Sequence, residues 1–154
     1  MTIDRSTPAL DSLYQELILD HFKRPHNKGE LEAATHQAHL HNPVCGDEVH
    51  VHARVEDGRV AELTFTGQGC SISQASVSMM TDLVKGKSVA EAEAITGRFS
   101  AMMHGDADAA QAKELGNARA LAGVAKFPVR IKCALLGWEA LGEALGTGTI
   151  GRKP

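Results

Sequence analysis

Three cysteines and one aspartate are the residues of this chain whose types and spacing could do chemistry. Cys45 and Asp47 stand either side of Gly46, Cys70 follows Gly67-Gln68-Gly69, and Cys133 follows Arg130-Ile131-Lys132. A thiol used only as core filler packs like a small hydrophobe and tends to fall inside an apolar stripe. These three fall instead where a loop is expected to meet a strand or a helix, and two of them lie beside glycine. Three thiolates and a carboxylate make four ligands, the number a tetrahedral zinc ion takes. The same thiolates could carry out sulfur exchange. There is no Cys-x-x-Cys, so spacing alone leaves a shared metal or sulfur site and three unrelated thiols both open. An odd count leaves one thiol unpaired in any internal disulfide scheme, and Met1-Thr2-Ile3-Asp4-Arg5 lacks the apolar stretch of an export signal. The second feature predicts the reducing cytoplasm, where cysteines serve metals or catalysis.

The elements that must position these residues follow from periodicity. Thr7-Pro8 reads as an N-cap with proline at the first helical position. Leu10, Leu13, Tyr14, Leu17, Ile18, His21 and Phe22 then recur at helical spacing, and Pro25 closes the helix. His21 on that stripe reads as a hydrogen-bonded packing residue rather than a ligand. Residues 36–42 predict a short histidine-rich edge strand. Residues 48–56 and 60–66 alternate, with Val49, Val51, Ala53 and Val55 on one face and Ala61, Leu63 and Phe65 on another. A two-residue loop at Asp57-Gly58 would put those faces on opposite sides of the sheet. A three-residue turn, Glu56-Asp57-Gly58, brings them together by pairing Val51 with Leu63 and Val49 with Phe65, and is the expected connection.

From Ser71 the pattern turns helical, with Ile72, Ala75, Met79 and Leu83 in a stripe ended by Gly86. Ser88 and Glu91 form a capping box for a helix to about Met103. The Ala- and Gly-rich stretch from Gly105 to Ala125 reads as short helices, and Phe127-Pro128 precedes a last helix carrying Ile131, Leu135, Trp138 and Leu145. Strands first and helices after predict an α+β fold, a three-stranded antiparallel sheet with helices packed on one face. This frame places Cys70 and Cys133 near helix N-termini, where the macrodipole favours a thiolate. The glycines beside Cys45 and Cys70 let the backbone approach an ion or a partner closely. His50 and His52 share one strand face with His36, His39 and His41 on the neighbouring segment, and read as a solvent-facing surface. Nothing is assigned to His104.

At 154 residues the chain is expected to be a single domain, with an ordered core over about 8–145 and a frayed tail at 146–154. A net charge of −3 with scattered basic residues argues against a nucleic-acid partner. No apolar run is long enough for a membrane span.

The chain resembles the NifU/IscU/SufU family of iron–sulfur cluster assembly proteins. Leu13-Tyr14, Ile18-Leu19-Asp20-His21-Phe22, Pro25, Asn27 and Gly29 match that family's N-terminal signature. Asn42-Pro43 with Cys45-Gly46-Asp47, then Gly67-Gln68-Gly69-Cys70-Ser71-Ile72-Ser73, and Arg130-Ile131-Lys132-Cys133 match its site motifs. The matches run in the family's order from about Leu13 to Leu145. Within the family the chain is more similar to the SufU branch than to the IscU scaffolds. Scaffolds carry a histidine immediately before their third cysteine, where this chain has Lys132. The surplus length between Cys70 and Cys133, at about Phe99 to Gly116, points the same way.

The resemblance implies zinc held by Cys45, Asp47, Cys70 and Cys133. It implies a sulfurtransferase that takes persulfide sulfur from a SufS-type cysteine desulfurase onto Cys45, and possible hand-on to downstream cluster-assembly proteins. Arg130 reads either as the residue that stabilises a negative persulfide or Asp47, or as a solvated charge at a helix start. The alternative implied by the same family is a scaffold in which the thiolates and Asp47 ligate iron or a 2Fe–2S cluster.

Overall fold

The computed structural model describes residues 6–44 and 46–146, with side-chain surroundings from Tyr14 onward. The frayed tail expected at 146–154 falls, but for Gly146, outside the described residues. The chain forms α1 (Ser6–Lys23), β1 (His36–Asn42), β2 (Asp47–Glu56), β3 (Arg59–Gln68), α2 (Ser71–Val84) and α3 (Val89–Met103). Two 3-10 segments, Ala109–Gln111 and Lys113–Lys126, lead to α4 (Pro128–Leu145). The strands make an antiparallel sheet in the order β1-β2-β3. α4 lies against β1 and β2, α2 against β3, and α1 packs on α2. This is the expected α+β arrangement. Among the described residues no helix is long and apolar enough to cross a membrane.

The β2–β3 hairpin corrects the sequence reading. The turn is the two-residue Asp57-Gly58, with φ of 52° and 75°, and Val55 stands opposite Val60. Positive φ at both positions gives the twist that two-residue hairpins favour. The phase conflict is removed by a β-bulge. Arg54 pairs with Glu62 while Val55 pairs with Val60, so Ala61 is the extra residue. One inserted residue flips every later side chain to the other face. Val51 therefore faces Phe65 and Ala53 faces Leu63, and Val60 rather than Ala61 joins the buried face.

The core fills the space between the sheet and the helices. Val49, Val51, Leu63 and Phe65 are fully buried beneath Met79, Met80, Leu141 and Trp138. Phe99 stacks on Trp138 with ring centroids 4.5 Å apart. α2 is the central helix, buried nearly all round and not along a single stripe; Ser73, Ser76 and Ser78 are buried with the apolar residues. Ser76 answers its burial by donating to Ala134 O at 2.7 Å and accepting from Trp138 Nε1 at 3.1 Å. Close approach of α2 and α4 is set by Gly137, where a Cβ would come within 2.7 Å of Val77 Cβ. The capping box opening α3 forms as expected, Ser88 Oγ accepting from Glu91 N and Glu91 accepting from Ser88 N.

On α1, Tyr14, Leu17 and Ile18 pack against the core, but Phe22 is exposed. His21 is buried with Nδ1 2.8 Å from Ser78 Oγ, the packing role expected of it. The outward histidine face is not uniformly solvated. His50 bonds Gln37 Oε1 and stacks on His39, whereas His52 is only 5% exposed.

Candidate functional site

Asp47 is the first residue of β2, the last to pair with β1 through Asn42. Its carboxylate is 1% exposed, so it must be satisfied within the protein. Cys70 supplies the partner. As N-cap of α2 it has extended backbone, and its N–H donates to Asp47 Oδ1 at 2.8 Å. Its Sγ lies 3.9 Å from Asp47 Oδ2. The bond joins the end of one hairpin to the start of the central helix, and it puts a carboxylate at a helix N-terminus, where the dipole favours negative charge.

Gly69 makes that approach possible. Its φ is 152°, and a Cβ there would lie 2.3 Å from Asp47 Oδ1 and 2.8 Å from Ser73 Oγ. Gly67 is equally constrained against β2, where a Cβ would meet Glu48 O at 2.2 Å. Both glycines thus admit backbone to a crowded place, here the carboxylate and the strand. The next turn closes with Ser73 Oγ donating to Cys70 O at 3.2 Å and Gln74 Nε2 donating to Ser73 Oγ at 3.2 Å.

Cys133 comes from the second turn of α4 and is 1% exposed, its Sγ 3.7 Å from Val129 O. Asp47, Cys70 and Cys133 each present a ligand atom within 4.8 Å of the other two. One carboxylate oxygen and two sulfurs, two of the three residues buried, is a donor set that suits zinc, with room in a tetrahedron for one more ligand. Three of the four residues singled out from sequence are therefore together. Cys45, the fourth, lies outside the described residues. Its described sequence neighbours are Val44, 76% exposed, and Gly46, whose φ is 72°.

Arg130 sits exposed in the first turn of α4, one helical turn before Cys133. It lines a groove of about 530 Å³ with Tyr14, Ile18, Ile72, Val124 and Phe127. Among the described residues no ion pair joins it to Asp47, whose carboxylate is held by Cys70 instead. Lys132 is also exposed. Sequence reasoning missed the support given by Ser73 and Gln74; a serine and an amide in an apolar helix are the signal that would have found them.

A family model described as the NifU-like N terminal domain matches residues 13–145. The iron-sulfur cluster assembly scaffold protein IscU of Streptococcus pyogenes serotype M1 is 48% identical over 136 residues, 88% of this chain and 84% of that protein. The zinc-dependent sulfurtransferase SufU of Bacillus subtilis (strain 168) is 45% identical over 132 residues, 86% of this chain and 88% of that protein. Among solved structures, an iron-sulfur cluster assembly scaffold protein for the SUF system from Fervidobacterium islandicum AW-1 superposes with a TM-score of 0.75 at 31% identity, covering 87% of this chain and 97% of that one.

Proposed function

Because the chain belongs to the NifU-like N-terminal domain family of iron–sulfur cluster assembly proteins, we propose that it is a zinc-dependent sulfurtransferase that accepts persulfide sulfur from a SufS-type cysteine desulfurase. The observation that carries this reading is Lys132. It is exposed and holds the position before Cys133 where the family resemblance leads one to expect histidine in a scaffold. The described donor set is accordingly one carboxylate and two thiols, without an imidazole. Zinc held by Cys45, Asp47, Cys70 and Cys133 would keep the thiols deprotonated at neutral pH.

The chemistry of the chain's own residues is thiolate exchange. The Cys45 thiolate attacks the outer sulfur of the partner persulfide. A bond forms between Cys45 Sγ and that sulfur, the partner's S–S bond breaks, and the partner cysteine leaves as thiolate with the electron pair. Sulfur is moved without net oxidation or reduction. Asp47 and Cys70, held together by their hydrogen bond, are the fixed members of the site, and we assign to Arg130, one helical turn before Cys133, the role of offering positive charge to the persulfide anion. Large apolar side chains stand exposed close in sequence to the ligands, Val44 near Cys45 and Phe127 and Val129 near Cys133. They suit a partner that covers the site during transfer.

Replacing Cys45 with alanine is expected to abolish stimulation of the desulfurase, and full stimulation by that variant would remove Cys45 from the acceptor role. The relative at 48% identity named as an IscU scaffold favours a second reading, in which a 2Fe–2S cluster is built on the same residues and handed on. Anaerobic reconstitution with iron and sulfide separates the two. A stable, transferable, coloured cluster supports the scaffold, and persistent colourless zinc protein supports the transferase.

A further inference from the structure

At the other end of α2 from Cys70 lies a second group of potential ligands. His21 from α1, His26 from the loop after it and Asp82 near the end of α2 each present a ligand atom within 4.8 Å of the other two. Asp82 is 12 residues along the helix from Cys70, about 18 Å at 1.5 Å per residue. The two groups are therefore separate. We propose that His21, His26 and Asp82 form a binding site for a divalent first-row transition-metal ion, a two-histidine, one-carboxylate set with open positions for water.

The members are held by bonds from outside the trio. His21 Nδ1 lies 2.8 Å from Ser78 Oγ, and the same hydroxyl accepts from the backbone N–H of His26 at 2.8 Å. Asp82 Oδ1 accepts from Asn27 Nδ2 at 3.2 Å. Such hydrogen bonds orient imidazole and carboxylate ligands in metal sites. The rings of His21 and His26 are already 4.3 Å apart.

Ligands around such an ion sit roughly 3.3 Å apart at ordinary metal–nitrogen and metal–oxygen bond lengths. The adjustment needed is an opening of the His26 Nδ1–Asp82 Oδ2 pair, now 2.5 Å apart, together with a closing on His21, and it falls on His26 and Asp82, whose side chains are 44% and 41% exposed. Their exposure also gives the ion an entry path and leaves room for water. The position near the C-terminal end of α2 places a cation where the helix dipole favours one. Two histidines and a carboxylate with open positions suit iron(II), cobalt(II), nickel(II) or zinc more than calcium or magnesium.

The test is titration of the full, zinc-loaded chain with Co2+, followed by absorption and compared with His26→Ala and Asp82→Asn. The expected result is about one cobalt bound with ligand-field bands and no thiolate-to-metal charge transfer, and affinity falling about tenfold or more in each variant. Cobalt entering the thiolate group would announce itself by charge-transfer bands, so this outcome is distinguishable from failure of the zinc assignment above. Unchanged cobalt affinity in both variants, with circular dichroism confirming their fold, would overturn the site. So would a parent protein that takes up cobalt only with thiolate bands, or none at all.

Discussion

The backbone N–H of Cys70 donates to Asp47 Oδ1 at 2.8 Å, tying two residues 23 apart in sequence. The bond exists because Gly69 lacks a Cβ, which would otherwise sit 2.3 Å from the same oxygen. Gly69→Ala is therefore expected to push the carboxylate out of place. Groups that orient a metal ligand are typically worth 10- to 100-fold in affinity. Zinc affinity measured by competition with a chromophoric chelator is expected to fall by about tenfold or more, and an unchanged affinity would mean that Asp47 is not a ligand.

Removal of the metal is expected to leave the fold standing. The sheet and helices close over their own core, with Leu63, Phe65, Phe99 and Trp138 buried independently of the candidate ligands. Zinc would then stabilise only by its binding free energy, about 3 to 4 kcal/mol at free zinc 100 to 1,000 times the dissociation constant. Chelation should lower the melting temperature while far-ultraviolet circular dichroism and tryptophan fluorescence stay native-like. Loss of all structure on chelation would make the ion a folding staple instead.

Ser76 links the two central helices, donating to Ala134 O and accepting from Trp138 Nε1. Ser76→Ala leaves a buried indole N–H without its acceptor. The expected cost is about 1 to 3 kcal/mol, readable as a lower urea midpoint with an unchanged slope.

Burial is the main reason His21 and His52 titrate below the ordinary histidine value of 6.5, followed by the adjacent imidazoles of His26 and His50. In the unfolded chain each takes a proton near pH 6.5. In the folded chain each resists it, so their contribution is full above that pH and declines as pH falls toward the folded values. Urea unfolding at about pH 7.5 and about pH 5.5 should show lower stability in acid. His52→Gln, which cannot titrate, should flatten that dependence, and an equally steep dependence in the variant would exclude His52 as a contributor.

Local signals in the sequence carried much of this architecture. The alternation in β2, the capping box at Ser88 and Glu91 and the proline opening α4 are short-range features whose physics acts within a few residues. The β2–β3 register was not legible. Alternation alone demanded a three-residue turn, and the extra residue at Ala61 that reconciles Asp57-Gly58 with the core has no local signature. The polar residues of α2 hid its all-round burial, because Ser76 and Ser78 are satisfied by partners from α4, α1 and the following loop that only the folded chain supplies. His52 was misplaced for a similar reason, its burial being a property of the assembled sheet surface. The grouping of Asp47, Cys70 and Cys133 came from motif order, since their spacing in sequence is compatible with no contact at all.

The most direct measurement of the central claim is mass spectrometry of Cys45 after incubation of the zinc-loaded protein with a SufS-type desulfurase and cysteine. One added sulfur atom on the peptide containing Cys45, absent from the Cys70 and Cys133 peptides and absent without desulfurase, is the predicted result. No sulfur on Cys45 under conditions where the desulfurase itself is persulfidated would contradict it.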